Sequence, residues 1–296
     1  MKLTPITLAI ALALAAPAAL AAQTLTRQQA LPADGEVEVS NISGSVAVTG
    51  WDKAEVQLEA VLEGADDQLE FAADDGRHLR IKVRGPGSSR APKEARLTLR
   101  VPRGVALDVQ AVSADVTVAD VAGRQHLETV SGEVRTQAYE RELDVRSVSG
   151  DVRVESRGGK APATVETVSG NVVMDGIAGT VDAQAISGDL DLTLGTVKLA
   201  RLKTVSGNVQ AGLALAPSAR VEVESVSGDV RLRFRAPVNA EFDLESFSGS
   251  LEACFGPPAR RASAYAPGSE LRFQHGDGSA RVMVETLSGD ATLCDK

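Results

Sequence analysis

Aromatic residues, cysteine and histidine are scarce in this chain of 296 residues. Phe, Trp and Tyr together make up 3% of it, and it has two cysteines, three histidines and one tryptophan. No His-Glu-x-x-His or paired Cys-x-x-Cys motif occurs, and the many Ser-Gly pairs lack the pattern of a nucleophile elbow. We therefore predict no catalytic residue, no cofactor site and no metal site.

Long apolar runs are also absent after the N-terminus. Lys2, the apolar run at 6–16 and the small residues Ala19 and Ala21 predict a signal peptide at 1–22, cleaved after Ala21 or Ala22. No later segment approaches the ~20 apolar residues that a membrane-spanning helix needs. We expect an exported protein without a transmembrane segment, periplasmic or at the cell surface.

The charge of the chain is acidic. It has 31 basic and 40 acidic residues, a net charge of −9. Removal of Lys2 with the signal peptide leaves 30 against 40, or −10. Because such a chain repels phosphate groups, nucleic acid is an unsuitable partner.

An internal repeat dominates the rest of the sequence. An aliphatic or Phe residue, Ser and Gly are followed by a small polar or acidic residue and usually by Val or Leu. From Ser113, in a copy without glycine, the motif serines step by 18, 18, 20, 18, 19, 21, 21 and 40 residues. A fixed period near 20 residues predicts a solenoid, with one coil per repeat.

The motif residues form the predicted structural corners. They are Ser131 and Gly132; Ser149, Gly150 and Asp151; Ser169, Gly170 and Asn171; Ser187, Gly188 and Asp189; Ser206, Gly207 and Asn208; Ser227, Gly228 and Asp229; Ser248 and Gly249; and Ser288, Gly289 and Asp290.

Alternation on both sides of the motif predicts two strands per coil. Val221 and Val223 are odd-numbered, whereas Val230 and Leu232 are even-numbered, so the inward parity switches across the motif and the chain must bend there. We expect the glycine to permit the backbone conformation of the bend. The fold class predicted is all-β: a parallel β-solenoid with about 20 residues per coil and two main strands per coil.

Both ends depart from the period. Residues 68–71 and 78–83, joined by a turn at 74–76, predict an antiparallel hairpin, so residues 23–110 are interpreted as atypical coils and an irregular N-terminal cap. Residues 111–296 form the repeats. Within them we expect an insertion at 255–287 that contains a second hairpin, from 271–274 and 281–284.

The two cysteines occupy equivalent positions. Cys254 and Cys294 each lie six residues after a motif serine. Equivalent positions in adjacent coils are ~4.8 Å apart, within disulfide range, whereas two coils apart they are not. A disulfide is favoured over two free buried thiols, because export leads to an oxidising compartment.

The residue after the motif glycine alternates between Asp and Asn over much of the repeat. Calcium-binding β-rolls also repeat Gly-Asp pairs, but they need glycine-rich nonapeptides. Carboxylates stacked ~4.8 Å apart repel each other, and an alternating Asn doubles their spacing. We therefore favour a solvated polar ladder over a row of metal sites.

This combination of features resembles a known family. The signal peptide, irregular β start, repeated Val-Ser-Gly-Asp-Val and final Leu-Ser-Gly-Asp are similar to the bacterial "putative adhesin" family of β-strand repeat proteins, a domain of unknown function. The resemblance covers nearly all of the mature chain. It implies a parallel β-solenoid in the cell envelope and supplies no catalytic residues.

Two functions remain open from the sequence. The first is a structural or adhesin-like binding module of the envelope that presents an extended β surface to a protein or a glycan, with the irregular return loops at 137–141, 156–162 and 215–218 as its binding edge. The alternative is a β-solenoid polysaccharide hydrolase or lyase. An enzyme requires a cleft in which three or more charged residues from neighbouring coils converge.

Overall fold

The computed structural model describes residues 22–87, 91–262 and 267–295. The predicted signal peptide therefore lies outside the described residues, apart from Ala22. In the described ranges no helix has the length and apolar character that crossing a bilayer requires.

Strands account for the regular structure. Their bounds are β1 (Gln23–Ala30), β2 (Glu36–Trp51), β3 (Glu55–Leu62), β4 (Gln68–Asp74), β5 (His78–Arg84), β6 (Ala95–Pro102), β7 (Ala106–Ala119), β8 (Gln125–Thr129), β9 (Val134–Ala138), β10 (Leu143–Ser147), β11 (Val152–Ser156), β12 (Ala163–Thr167), β13 (Val172–Asp175), β14 (Gly179–Ala185), β15 (Leu190–Ser206), β16 (Val209–Ser227), β17 (Val230–Arg235), β18 (Ala240–Ser246), β19 (Leu251–Ala253), β20 (Arg260–Arg261), β21 (Ser269–His275), β22 (Ala280–Thr286) and β23 (Ala291–Cys294).

One coil consists of a strand, a corner and a second strand, as β10 and β11 illustrate. Val145 in β10 and Val154 in β11 are fully buried, whereas Arg146 and Arg153 beside them point to solvent. The two strands thus face each other across a single apolar core, and the predicted switch of parity is confirmed. Each strand pairs in parallel with the equivalent strands of neighbouring coils.

Stacking of the coils produces two sheets. The strands that precede the corners form sheet I, in the order β4, β5, β2, β7, β8, β10, β12, β14, β15, β16, β22, β18, β21 and β20. The strands that follow the corners form sheet II, in the order β1, β3, β6, β2, β7, β9, β11, β13, β15, β16, β17, β23 and β19. The long strands β2, β7, β15 and β16 bend and contribute to both. The predicted all-β parallel solenoid is confirmed.

The N-terminal end is closed by antiparallel strands. The predicted hairpin is β4 and β5, and β5 then continues the parallel stack against β2. On sheet II, β3 and β1 add two further antiparallel strands beyond β6. The outermost strand, β1, is polar and largely exposed, which makes it a poor template for pairing with other chains.

The C-terminal strands differ from the predicted order. β22 and β23 lie between the coil of β16 and β17 and the coil of β18 and β19, although they come last in the chain. The hairpin predicted from 271–274 and 281–284 is wrong, because β21 and β22 pair with opposite sides of β18. Phe273 of β21 stacks on Phe242 of β18 with ring centroids 4.8 Å apart, and this apolar contact holds β21 at the end of the sheet.

The motif glycines are required by close approach of neighbouring coils. A Cβ added to Gly150 would lie 1.9 Å from the carbonyl oxygen of Gly132, and one added to Gly170 would lie 2.1 Å from that of Gly150. From Gly132 onward none of the described motif glycines has a positive φ. The expected reason, a backbone conformation that only glycine favours, is therefore wrong for these corners.

At four of the eight corners from Gly132 onward, a buried hydroxyl accepts a hydrogen bond from the amide of the motif glycine. Ser147 Oγ accepts a hydrogen bond of 2.9 Å from the Gly150 amide, and Thr167 Oγ1 accepts one of 3.0 Å from the Gly170 amide. This residue, directly before the motif, satisfies an amide that the bend would otherwise leave unpaired inside the protein.

We predict that Gly170→Ala destabilises the solenoid strongly. The added methyl group meets a backbone carbonyl that cannot move without disturbing the next coil, and overpacking of this kind typically costs about 1–3 kcal/mol or more. Thermal unfolding followed by circular dichroism measures the effect.

Gly212→Ala is the matched control. Its added Cβ would have only one neighbour, the Leu192 carbonyl oxygen at 4.0 Å, and the φ of Gly212 is not positive. We expect an unchanged or slightly higher melting temperature. Equal losses in both variants would contradict the close-approach explanation.

The structure contains the Cys254–Cys294 disulfide, with Cα atoms 5.0 Å apart. It joins the ends of β19 and β23. These strands are adjacent because the coil of β22 and β23 packs directly against the coil of β18 and β19. The described residues contain no free cysteine.

We predict that replacing both cysteines with serine destabilises the C-terminal coils. The bond closes a loop of sequence separation 40, for which a chain-entropy model gives about 4 kcal/mol. Thiol titration of unreduced, denatured protein should find no free thiol. Two free thiols, or an unchanged melting temperature in the double variant, would refute this role.

Candidate functional site

The candidate site starts from an apolar surface that the repeat generates. In each motif copy from Val112 onward, the first residue is 40–54% exposed, although all of these residues are large and apolar. We call them the apolar row; in spatial order they are Val112, Val130, Val148, Val168, Ile186, Val205, Val226, Leu287 and Phe247.

Strand pairing aligns the apolar row. Each member lies at or directly after the end of its strand segment in sheet I and faces outward, and backbone hydrogen bonds between neighbouring coils place the members side by side at ~4.8 Å. Nine residues span eight intervals, about 38 Å along the solenoid axis. Because single exposed apolar residues are ordinary but contiguous patches mark interaction surfaces, the row is a candidate binding edge.

A groove runs beside the C-terminal half of the row. It has a volume of about 970 Å³, and its lining includes the members of the apolar row from Val168 to Phe247. Outward side chains two residues earlier on the same strands form its other side, among them Arg146, Gln184 and Lys203. Ala262 and residues 267–270 line it at the C-terminal end.

Four glutamates line the groove at this end. Glu224, Glu285, Glu245 and Glu270 lie on four adjacent strands, β16, β22, β18 and β21, and each is the direct register partner of the next. We call them the acidic row. Neighbouring carboxylates at ~4.8 Å repel by about 1 kcal/mol in water, and like charges opposite each other destabilise a sheet.

Two cations partly neutralise the acidic row. Lys203 Nζ lies 2.9 Å from Glu224 Oε1, and this hydrogen bond raises the pKa of Lys203. Arg272 contacts Asp243 and Glu245, and hydrogen bonds to these carboxylates raise its pKa. Among the described residues, neither Glu270 nor Glu285 forms an ion pair, so the groove retains negative charge.

The polar residues after the motif glycines serve the fold. Asn171 donates its amide N–H to Asp151 Oδ1 at 2.8 Å, and Asp189 donates its own to Asn171 Oδ1 at 3.1 Å. At the C-terminal end, the Ser250 amide and hydroxyl donate to Asp290 and lower its pKa. The side chains thus form a ladder that satisfies the corner amides of successive coils.

Charged side chains in the groove are arranged in a line. In the described ranges no group of three or more His, Cys, Asp or Glu residues is placed to hold a metal ion. The acidic row occupies exposed or half-buried positions on one face of sheet I, with two members in ion pairs. Four acids are adjacent, as an enzyme cleft requires, but they do not surround a common point.

The groove lies on a different edge of the solenoid from the one that sequence reasoning favoured for binding. Sequence reasoning favoured the irregular return loops, whereas the groove lies along the regular corner edge. The parity that identified Val221 and Val223 as inward also makes Val226 outward, which is the signal that could have found the apolar row. Glu224, Glu285 and Glu245 are aligned only because β22 lies between β16 and β18. No local sequence pattern predicts this arrangement.

Comparison with known proteins identifies the family. The Toastrack DUF4097 family matches residues 36–238. The chain belongs to the Toastrack DUF4097 family. The matched segment contains the parallel stack from β2 to β17, together with the first seven members of the apolar row.

Two solved structures are similar over most of this Toastrack chain. One is described as a "putative cell adhesion protein" from Clostridium sporogenes, with 8% identity, a TM-score of 0.23, and coverage of 93% of this chain and 100% of the other. The second is described as a "putative adhesin" from Bacteroides fragilis, with 10% identity, a TM-score of 0.32, and coverage of 92% and 97%. No curated protein matches the chain significantly.

We predict that the apolar row contributes little to folding. Val148 is 45% exposed, whereas Val145, three residues earlier on β10, is fully buried. Val148→Thr should change the free energy of unfolding by less than about 0.5 kcal/mol. Val145→Thr buries an unpaired hydroxyl and should cost about 1–3 kcal/mol.

Chemical denaturation of the two variants measures this difference. They carry the same substitution three residues apart, Val145 within β10 and Val148 directly after its end, so the change in side-chain chemistry is matched. A loss of stability in Val148→Thr as large as that in Val145→Thr would mean that the row is structural.

Proposed function

We propose that this Toastrack protein is an exported, non-catalytic binding module of the cell envelope, which presents the apolar row to a partner. The single observation that carries the proposal is the row itself. Every motif from Val112 to Leu287 keeps a large apolar residue at an exposed, outward position, where burial in the core does not account for it. Exposed apolar side chains repeat over about 38 Å. A contiguous apolar surface of this length favours a role in binding for the whole corner edge.

The rigid architecture supports a binding role. Each coil is hydrogen-bonded to its neighbours through both sheets, and the corners add the side-chain ladder. Residues of the row are therefore held at fixed spacing before any partner arrives. A preorganised surface loses little conformational entropy on binding.

Export is supported by two features. The N-terminal sequence has the pattern of a signal peptide, and the Cys254–Cys294 disulfide is suited to an oxidising compartment. We propose the periplasm or the cell surface as the location. A protein or a glycan of the envelope is the proposed partner.

The alternative function, a polysaccharide hydrolase or lyase, draws on the acids in the groove. Glu285 and Glu245 are register partners, and a retaining glycosidase places two carboxyl groups about 5–5.5 Å apart. However, both are exposed side by side on one face of sheet I, whereas a glycosidase places its two carboxyl groups on either side of the scissile bond. The negative charge of the acidic row also disfavours an acidic polysaccharide.

Site-specific photo-crosslinking in the native host tests the proposed function. A photoreactive phenylalanine analogue replaces Ile186 in the apolar row, and in a control protein it replaces Asp191 on the outer face of sheet II. We expect discrete crosslinked products in the envelope fraction from the Ile186 position only. Identical products from both positions, or none from either, would contradict a binding role for the row.

Catalysis is tested separately. Purified protein is incubated with soluble polysaccharide from the host envelope, and reducing ends and unsaturated uronates are measured over time. We expect no increase above a heat-denatured control. Release that is abolished by Glu285→Gln would overturn the proposal in favour of the enzyme.

A further inference from the structure

We propose that the C-terminal part of the groove binds a basic amphipathic α-helix from a partner protein. This inference rests on the proposed function and specifies the chemistry of the partner. Its basis is the juxtaposition of the acidic row with the last members of the apolar row. Three such pairs, each two residues apart in the chain, are Glu224 and Val226, Glu285 and Leu287, and Glu245 and Phe247.

The two rows define two parallel stripes of different chemistry. The residues of each pair are two positions apart along the extended chain, about 6.6 Å, and both are exposed. Across the strands both stripes repeat at ~4.8 Å. Val226, Leu287 and Phe247 are 43%, 51% and 54% exposed, so the apolar stripe is accessible along its length.

Charge complementarity determines the sign of the charge that the partner must carry. The acidic row carries four carboxylates. Lys203 and Arg272 form ion pairs with it, Arg272 is shared with Asp243, and Arg260 of β20 is the register partner of Glu270, so carboxylates still outnumber cations. A partner with Lys or Arg beside its apolar side chains would relieve the repulsion between neighbouring glutamates. The same charge repels phosphate and anionic lipid headgroups.

The spacing favours a helix over an extended peptide. A helix lying along the solenoid axis presents a new turn every 5.4 Å, close to the ~4.8 Å repeat of the groove. The three intervals of the acidic row span about 14 Å, and three turns of the helix span about 16 Å, so helix and groove differ in length by only about 2 Å. An extended peptide repeats its side chains at 6.6–6.8 Å on one face and loses register after one step.

A second copy of this chain does not supply such a helix from its described residues, which form strands, turns and loops. The partner is therefore another protein. About ten residues of helix, roughly 15 Å, span the acidic row. Apolar residues at i, i+3, i+4 and i+7 would contact the apolar stripe, with Lys or Arg on the adjacent side.

The first experiment uses a synthetic peptide as the probe. An 18-residue peptide of Leu, Ala and Lys, with capped ends, carries one apolar stripe beside one Lys stripe. Binding to the full-length, oxidised mature protein is measured by isothermal titration calorimetry. We expect saturable binding with a stoichiometry of one, at least tenfold tighter than for a scrambled peptide of the same composition or a Glu-for-Lys version.

Matched protein variants locate the site. Leu287→Ser with Phe247→Ser should weaken binding at least tenfold. Val130→Ser with Val148→Ser changes the same motif position at the other end of the apolar row, where both residues are 45% exposed, and should change binding less than twofold. Glu285→Gln should weaken binding severalfold, whereas Glu155→Gln on the outer face of sheet II should not. Melting temperatures verify that each variant is folded.

The outcomes separate this inference from the proposed function. Equal weakening by groove and control variants, or equal binding of the scrambled peptide, would overturn the helix site. Absence of peptide binding together with crosslinking at Ile186 would also overturn it, while leaving the binding module intact. Groove-specific peptide binding without any envelope crosslink would support the chemistry of the groove and contradict the module's role in the envelope.

Discussion

Close contact between backbones at stacked corners is the constraint on which this structure depends. The motif glycines approach the carbonyl oxygen of the preceding coil so closely that a single methyl group would not fit. That contact fixes how neighbouring coils stack at the corner, and the strands beside the corner pair with the equivalent residues of the next coil. Every outward position is then repeated in a straight line along the axis, so the surface is ordered by the same contact that orders the core.

The repeat could be interpreted from the sequence because parallel stacking makes equivalent residues neighbours. Spacing of the motif serines predicted the coils, and the parity switch between Val223 and Val230 predicted which side chains fill the core. The same parity also predicts that Val226 faces solvent. This exposure was overlooked because an aliphatic residue in a repeated motif suggests burial. The buried hydroxyls, such as Ser147, were also missed, since their role depends on the geometry of a bend.

The C-terminal end could not be predicted by the same reasoning. Residues 271–274 and 281–284 have the local pattern of a hairpin, with a turn of the right composition between them. Their actual pairing with β18 depends on aromatic packing around Phe242 and on an edge left open by β16 and β17, which are properties of the assembled stack. The acidic row shares this origin, because Glu224 and Glu245 become neighbours of Glu285 only when β22 lies between their strands.

Insertion of β22 and β23 between two earlier coils separates the order of synthesis from the order in space. The coil of β18 and β19 is made before the strands that will connect it to the rest of the stack. Until β22 and β23 leave the ribosome, it has no permanent neighbour on that side, and the edge of β16 and β17 is open as well. β22 and β23 therefore occupy an interior position although they follow both of their neighbouring coils in sequence, and a protein cut short before β22 loses the link between two coils.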